Sequence, residues 1–400
     1  MNVMSWKTLS QMDLKGKRVL TRVDLNVPII DGKVSDATRI EKIVPTVNEI
    51  IKKGGTPILL SHMGRPKGER NPNLSLSQLQ EKLENYFKSR VVFVADCIGP
   101  SAETALKVAK KGQIILLENT RFHPEEEEND SEFAASLAAL ADIFCNDAFS
   151  ASHRAHASTT GLAKYLPSCA GNLMESELKA LESVLVQPER PVATVVGGAK
   201  ISTKITLLEN LIEKVDSIII GGAMANTFLF AKGFNVGRSL VEKNFKPTAL
   251  KILKKAEIYS CEIILPTDIV IAKELSENTS TSVVSADECP ENYMILDAGP
   301  STVDNIKHCI NNAKTLLWNG PLGAFEVAPF DQATSQTAKF ASNETKNGHL
   351  ISVAGGGDTV AALNQAGVTD AFTYVSTAGG AFLEWLEGRE LPGVLCLTQK

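Results

Sequence analysis

The chain is expected to be an α/β protein of two doubly wound parallel-sheet (Rossmann-like) domains, joined by an interdomain helix and hinge. Three observations predict this. Short, continuously apolar runs alternate with amphipathic stretches of helical period, the pattern of parallel sheets covered on both faces. At 400 residues the chain exceeds what one hydrophobic core usually serves. The series of apolar runs also breaks near the middle, at a helical segment ended by prolines.

Five strand-like runs precede the break, at 18–23, 56–60, 91–94, 114–117 and 143–146. Six follow it, at 192–196, 217–220, 262–265, 315–318, 350–353 and 372–375. Eleven strands are too many for one comfortable open sheet. Helical stretches such as LSLSQLQEKLENYF and STKITLLENLIEKV lie between them. In the break, residues 172–190 read NLMESELKALESVLVQPER, with Leu173, Leu178, Leu181 and Leu185 at helical spacing, and Pro188 and Pro191 stop the helix. This divides the chain into a first domain over 1–171, an interdomain helix over 172–190 and a second domain over 191–390.

Composition excludes several classes. A formal charge of −5 offers no footprint for nucleic acid. Seven cysteines at 97, 145, 169, 261, 289, 309 and 396 are odd in number and never spaced CxxC, which suits a reducing compartment better than a disulfide or zinc framework. The first residues lack the unbroken apolar stretch of a signal peptide, and no window approaches a membrane span. A cytoplasmic protein is the expectation.

Ligands of open parallel sheets bind outside the carboxyl ends of the strands, so each half has a candidate rim. The first is cationic: Arg39, Arg65, Arg121 and Arg154, with His62, follow strands or lie in the loops between them. Guanidinium forks match phosphate and carboxylate oxygens, which implies a small, multiply anionic ligand. The second is glycine-rich. Gly355, Gly356 and Gly357 lead from a strand into a helix, where backbone N–H groups can face an anion, and Asp358 stands where a phosphate-bound Mg²⁺ would sit. Thr377, Ala378, Gly379 and Gly380 repeat the arrangement after the last strand.

VVGGAKISTKI at 195–205 resembles a phosphate loop but lacks the Walker pattern. Lys200 and Lys204 are expected on one helix face, where they could hold two phosphates, or one phosphate before and after transfer. The acidic run at 125–128 reads as a solvated loop. Cations, glycines and one metal carboxylate without an obvious nucleophile suit phosphoryl transfer, which is mainly positioning and charge stabilisation. A dinucleotide dehydrogenase would need GxGxxG after its first strand, which is missing. A non-catalytic anion binder would have no use for Lys200, Asp358 and a second glycine turn.

The motifs RVDLNVP (22–28), SHMGRP (61–66), ENTRFH (118–123), NDAFSASHRAHAS (146–158), VVGGAKISTKI (195–205), LWNGPLGAFE (317–326), AGGGDT (354–359) and STAGGAFLEWLEG (376–388) run along nearly the whole chain. Together they resemble the phosphoglycerate kinase family. The resemblance implies transfer between ATP and 3-phosphoglycerate, giving ADP and 1,3-bisphosphoglycerate with Mg²⁺, by a monomer whose domains close to exclude water. It implies phosphoglycerate contacts at Asp24, Leu25, Asn26, Arg39, His62, Met63, Gly64, Arg65, Arg121 and Arg154. Nucleotide contacts are implied at Gly198, Lys204, Gly222, Gly299, Pro321, Glu326, Gly356, Gly357, Asp358 and Thr359, with Asp358 at the metal. Arg39, Lys200, Gly379 and Gly380 are implied to serve the transferring group. Residues 391–400 are expected to return to the first domain. Ala378 stands where the family usually has glycine, and a tolerated variation is expected there.

Overall fold

The computed structural model describes residues 6–110 and 112–398. By its internal packing the chain divides into two units, one reaching to Lys179 and resuming at Glu390, the other spanning Ala180–Arg389.

The first unit is built on strands β1 (Arg18–Arg22), β2 (Thr56–Leu60), β3 (Val91–Val94), β4 (Ile114–Leu117), β5 (Ile143–Asn146) and β6 (Ser168–Ala170). They form a six-stranded sheet in the order β3-β4-β2-β1-β5-β6, with every pairing parallel. β4 and β5 are buried along their whole length, as strands covered on both faces must be. Leu20, Ile115 and Phe144 point into one core cluster and Leu59, Ile114 and Leu116 into another, so alternate residues feed the two faces. The chain leaves β1 toward β2 on one side and later returns to pair β5 on the other. That reversal puts a switch point at the carboxyl end of β1.

Strands β7 (Val192–Val196), β8 (Ser217–Ile220) and β9 (Glu262–Ile264) open the second unit. Next come β10 (Asp268–Ala272), β11 (Ser282–Ser285) and β12 (Met294–Ala298), and then β13 (Thr315–Asn319), β14 (Ile351–Gly355) and β15 (Tyr374–Ser376). The main sheet runs β9-β8-β7-β13-β14-β15, all parallel, the dinucleotide-fold order counted within the unit. Its switch point lies between β7 and β13. The fold is therefore the α/β, two-unit doubly wound architecture that the sequence predicts.

Four details differ from the sequence reading. β6 was not anticipated, nor was the antiparallel sheet β11-β10-β12. β11 is largely exposed and β6 is three residues long, so neither carries the continuous apolar signal of a buried strand. A hairpin pairs Ile29–Ile30 with Lys33–Val34 through Asp31 and Gly32, both at positive φ, as a two-residue primed turn demands. The acidic run is no solvated loop: it forms a helical turn, Glu125–Glu128, with Glu126 completely buried.

The helix Asn172–Leu185 carries the chain from one unit to the other, with the division falling between Lys179 and Ala180. Its start is held by Asp147, whose Oδ1 accepts the N–H groups of Leu173 and Met174 at 2.9 and 3.1 Å. From Glu390 on, the chain belongs with the first unit, where the Gly393 N–H donates to Ser152 O and the Asn146 amide to Gly393 O. Residues 399 and 400 lie outside the described residues. Among the described residues, no helix is long and apolar enough to cross a membrane.

Candidate functional site

At the carboxyl end of the first sheet, four loops are tied to one another. After β1, Asp24 caps its own turn by accepting from the Asn26 N–H at 3.0 Å, and it also accepts from Ser150 Oγ at 2.5 Å in the loop after β5. Asn26 Oδ1 accepts from the Gly64 N–H after β2, at 2.9 Å. After β4, Asn119 donates to Met63 O and Arg121 Nη1 to Gly64 O, at 2.8 and 2.9 Å. These bonds gather Asp24, Asn26, Gly64 and Arg121 into one place.

The cations are aimed rather than scattered. Arg39 lies on the helix Thr38–Lys52, not in a loop, and its Nη1 bridges Asp24 Oδ1 and Asn26 O at 3.1 and 2.8 Å. Arg121 is only 6 % exposed and is paired with Glu127 at 3.2 Å. Burial lowers its affinity for its proton, and Arg154 and Arg65 reinforce the effect, so these three guanidiniums feel one another. Arg154 lies against His153, and Arg65 is exposed. His62 is held well below the ordinary imidazole range, by burial first and then by the charges of Arg22, Arg121, His156 and Arg39; it is neutral near pH 7. Leu25 and Met63 turn their side chains into the core, which leaves only their backbone for a ligand.

Sequence reasoning missed the group beneath this rim. Arg22, the last residue of β1, is 1 % exposed and reaches Ser158, Val23 O and His62. Its signal was present: a cation closing the strand RVLTR at its carboxyl end, where ligands bind. The acid behind it, Glu126, carried no such signal.

The second sheet presents backbone instead. Gly222 begins the helix Ala223–Ala231 at φ 67°, and a side chain there would collide with Gly198 O. Gly356 (φ 102°) and Gly379 (φ 54°) begin the helices Gly357–Gln365 and Gly380–Leu386, where only glycine takes such angles cheaply. Ala378 is not among the positive-φ residues, since Gly379 makes the sharp turn. The family departure therefore carries no backbone strain.

The lysine pair is not on one helix face. Lys200 is extended (φ −135°, ψ 127°) ahead of a short 3-10 turn, Ile201–Thr203, and Lys204 precedes the helix Ile205–Leu211. The turn is tied to Glu242, which accepts both the N–H and the hydroxyl of Ser202, at 3.0 and 2.7 Å. The lysines diverge in environment. Lys204 is pinned by Asn319 Oδ1 at 2.5 Å, and burial lowers its pKa against the pull of Glu387 and Asp358. Lys200 is exposed; its carbonyl accepts from Thr203 Oγ1 at 2.9 Å, and its charge helps hold the Glu242 carboxyl below the ordinary carboxylate range.

Asn319, also missed, ends β13 and joins Lys204 to Gly355 O at 2.7 Å, while Thr359 Oγ1 accepts from the Gly320 N–H at 2.7 Å. These contacts connect the turns after β7, β13 and β14. Beside them opens a cleft of about 370 Å³, lined among others by Gly198, Gly222, Pro321, Glu326 and Asp358. That volume suits a small-molecule ligand, typically roughly 300–1,000 Å³. Gly299 does not line it, although Ala298 does. Asp358, in the first turn of its helix, is exposed and its carboxylate makes no hydrogen bond or ion pair, so it fits a hard divalent cation shared with phosphate oxygens. A larger cleft of about 1120 Å³ beside β9 and β11 gathers none of the predicted site residues. One further group, Asp96, Cys97 and His123, has metal-ligand chemistry, but its carboxylate is already taken by Arg70 and His123.

A guanidinium rim on one parallel sheet, and glycine turns with lysines beside a cleft on another, define a two-unit phosphotransferase. The sequence profile described as Phosphoglycerate kinase matches residues 9–389. The phosphoglycerate kinase of Ruegeria sp. (strain TM1040) is 60 % identical over 394 residues, covering 98 % of this chain and 100 % of that protein. That of Agrobacterium fabrum is 56 % identical over 395 residues, covering 98 % and 99 %. The solved phosphoglycerate kinase from Coxiella burnetii matches the fold with a TM-score of 0.91 at 41 % identity, over 98 % of this chain and 99 % of that one. The enzyme from Pyrococcus horikoshii OT3 gives 0.81 at 29 % identity, over 98 % of each. The chain belongs to the phosphoglycerate kinase family and is, with it, a phosphotransferase with a carboxyl group as acceptor.

Proposed function

We propose that the protein transfers a phosphoryl group reversibly between ATP and 3-phosphoglycerate, in glycolysis and gluconeogenesis, as a cytoplasmic monomer. The first unit holds phosphoglycerate and the second Mg-nucleotide. The observation that carries this reading is the pairing of two dissimilar anion sites on one chain: four convergent guanidiniums with a neutral histidine, and a glycine-lined cleft with Lys204 and an uncommitted Asp358.

The acceptor is a carboxylate, already an anionic oxygen, so no general base and no covalent enzyme intermediate are needed. Asp24, Asn26, His62, Arg65, Arg121 and Arg154 bind and orient phosphoglycerate in this reading. Lys204 and the helix start after Gly356 receive nucleotide phosphates. Mg²⁺, held by Asp358 when bound, would neutralise part of the phosphate charge. Lys200, with its exposed side chain, follows the group in flight in this reading, and Arg39 serves the same group from the phosphoglycerate side. Charge aimed at that midpoint stabilises the transition state beyond either ground state. Because the acyl-phosphate product is water-sensitive, a closing motion that excludes water belongs to the mechanism.

The test is a coupled assay of ATP consumption with and without 3-phosphoglycerate. Consumption that depends on 3-phosphoglycerate is expected. Equal turnover without it, or none with it, overturns the reading.

A further inference from the structure

Beneath the cationic rim lies a row of polar side chains that the roles above leave unused. Glu126, Ser158 and Arg22 are all essentially buried. Glu126 accepts twice from Ser158, through the backbone N–H at 2.9 Å and through Oγ at 2.5 Å. Ser158 has thereby spent its one hydroxyl proton, so its oxygen is left to accept, and it does so from Arg22 Nε at 2.9 Å. Arg22 Nη1 is satisfied by Val23 O, and Nη2 stands 2.8 Å from Nδ1 of His62. A guanidinium can only donate. Nδ1 of His62 is therefore the bare nitrogen, and the ring proton sits on Nε2.

We infer that Glu126 is a positioning residue: through Ser158 it aims Arg22, and Arg22 fixes His62 as the Nε2–H tautomer, a neutral donor to an anionic oxygen of phosphoglycerate. The inference rests on the reading of the first rim as the phosphoglycerate site. Two physical points carry it. A buried guanidinium needs a counter-charge, and Glu126, completely buried, supplies the larger share of it, with Asp24 second. A direct Arg–Glu fork would take two guanidinium nitrogens side by side. The interposed serine uses only Nε, which keeps Nη2 for the histidine. The chain thus converts a buried negative charge into the orientation of a neutral ring.

The test uses the intact protein with ¹⁵N-labelled histidine. Two-bond ¹⁵N–¹H correlation near pH 7 should show His62 with a bare Nδ1 and a protonated Nε2. In Ser158→Ala and Glu126→Gln, that signature should give way to a tautomer mixture. KM for 3-phosphoglycerate should rise roughly tenfold, the scale of one hydrogen bond to a charged group, while KM for ATP stays within about twofold. A wild-type His62 with its proton on Nδ1 overturns the inference without any variant. So does an unchanged tautomer together with an unchanged KM in both variants. If the tautomer shifts as expected but the wild type binds no 3-phosphoglycerate, the relay stands and the substrate reading falls.

Discussion

In the proposed reading the two rims meet the same physical demand, holding oxygens of high negative charge, by opposite means. The first unit uses side chains. Its cations are long and rotatable, so each must be aimed by something else: Arg39 by Asp24 and Asn26, Arg121 by Gly64 and Glu127, Arg22 by Ser158. The second unit uses backbone. Its N–H groups are set by φ and ψ, so the cost falls mainly on glycine at positive φ, with Lys204 as its partly buried charge. Side-chain recognition needs supporting residues distant in sequence, whereas backbone recognition is encoded in three or four consecutive positions.

The comparison breaks first at Lys200, a side-chain cation on the backbone-type rim. Lys200→Ala should cut kcat by about 10²–10³, equivalent to about 2.7–4 kcal/mol, with little change in either KM. Arg39→Ala should also lower kcat heavily, but with a loss of phosphoglycerate affinity. Steady-state kinetics on both variants decides this. A raised KM for ATP with kcat near wild type would make Lys200 only an anchor.

Asp358→Ala tests whether the rims are separate in function. Mg-nucleotide affinity should fall at least tenfold, about 1.4 kcal/mol, while phosphoglycerate affinity stays within about twofold. Calorimetric titration of both ligands reads it, and parallel losses would sink the division of labour.

Acid should act with opposite sign through one buried group in each unit. His156 is pushed down to about 4, chiefly by burial. Between its ordinary 6.5 and that value, the unfolded chain binds a proton that the folded one refuses, so its contribution to stability is lost as pH falls through the window. Asp297 is raised to about 8, again by burial. The folded state then holds a proton that the unfolded chain has released, so stability is lost as pH rises from 3.8 through that value. His156→Gln should flatten the first slope and Asp297→Asn the second, each by on the order of several kcal/mol at most across its window, the second more than the first. Urea unfolding at several pH values measures both. Unaltered slopes would mean that neither group is so penalised by burial.

The smallest effect is expected at Ala378. With the sharp turn made by Gly379, Ala378→Gly gains no relief of strain and should cost up to about 1 kcal/mol through unfolded-state entropy, with kcat unchanged. Denaturant midpoints and turnover read it together. A severalfold rise in kcat would show that the alanine hampers the phosphate-facing turn.

The alternation of apolar runs and amphipathic stretches determined the α/β class, and the break after residue 171 pointed to two units, because hydrophobic period is a local property of the chain. The same locality made the glycine turns at Gly356 and Gly379 legible: a strand, two or three glycines and a helix lie within one short window. β11 escaped because an exposed antiparallel strand has no buried face to print a pattern, and Lys200 and Lys204 were misplaced because a short 3-10 turn, tied to the distant Glu242, lies between them ahead of the helix. Only the tertiary structure decided that Glu126, one of four consecutive glutamates, is wholly buried while Glu127 reaches out to Arg121. Burial of a charge depends on what distant segments bring over it, here Ser158 and Arg22 from opposite ends of the first unit's sequence, and no spacing within the chain records that meeting.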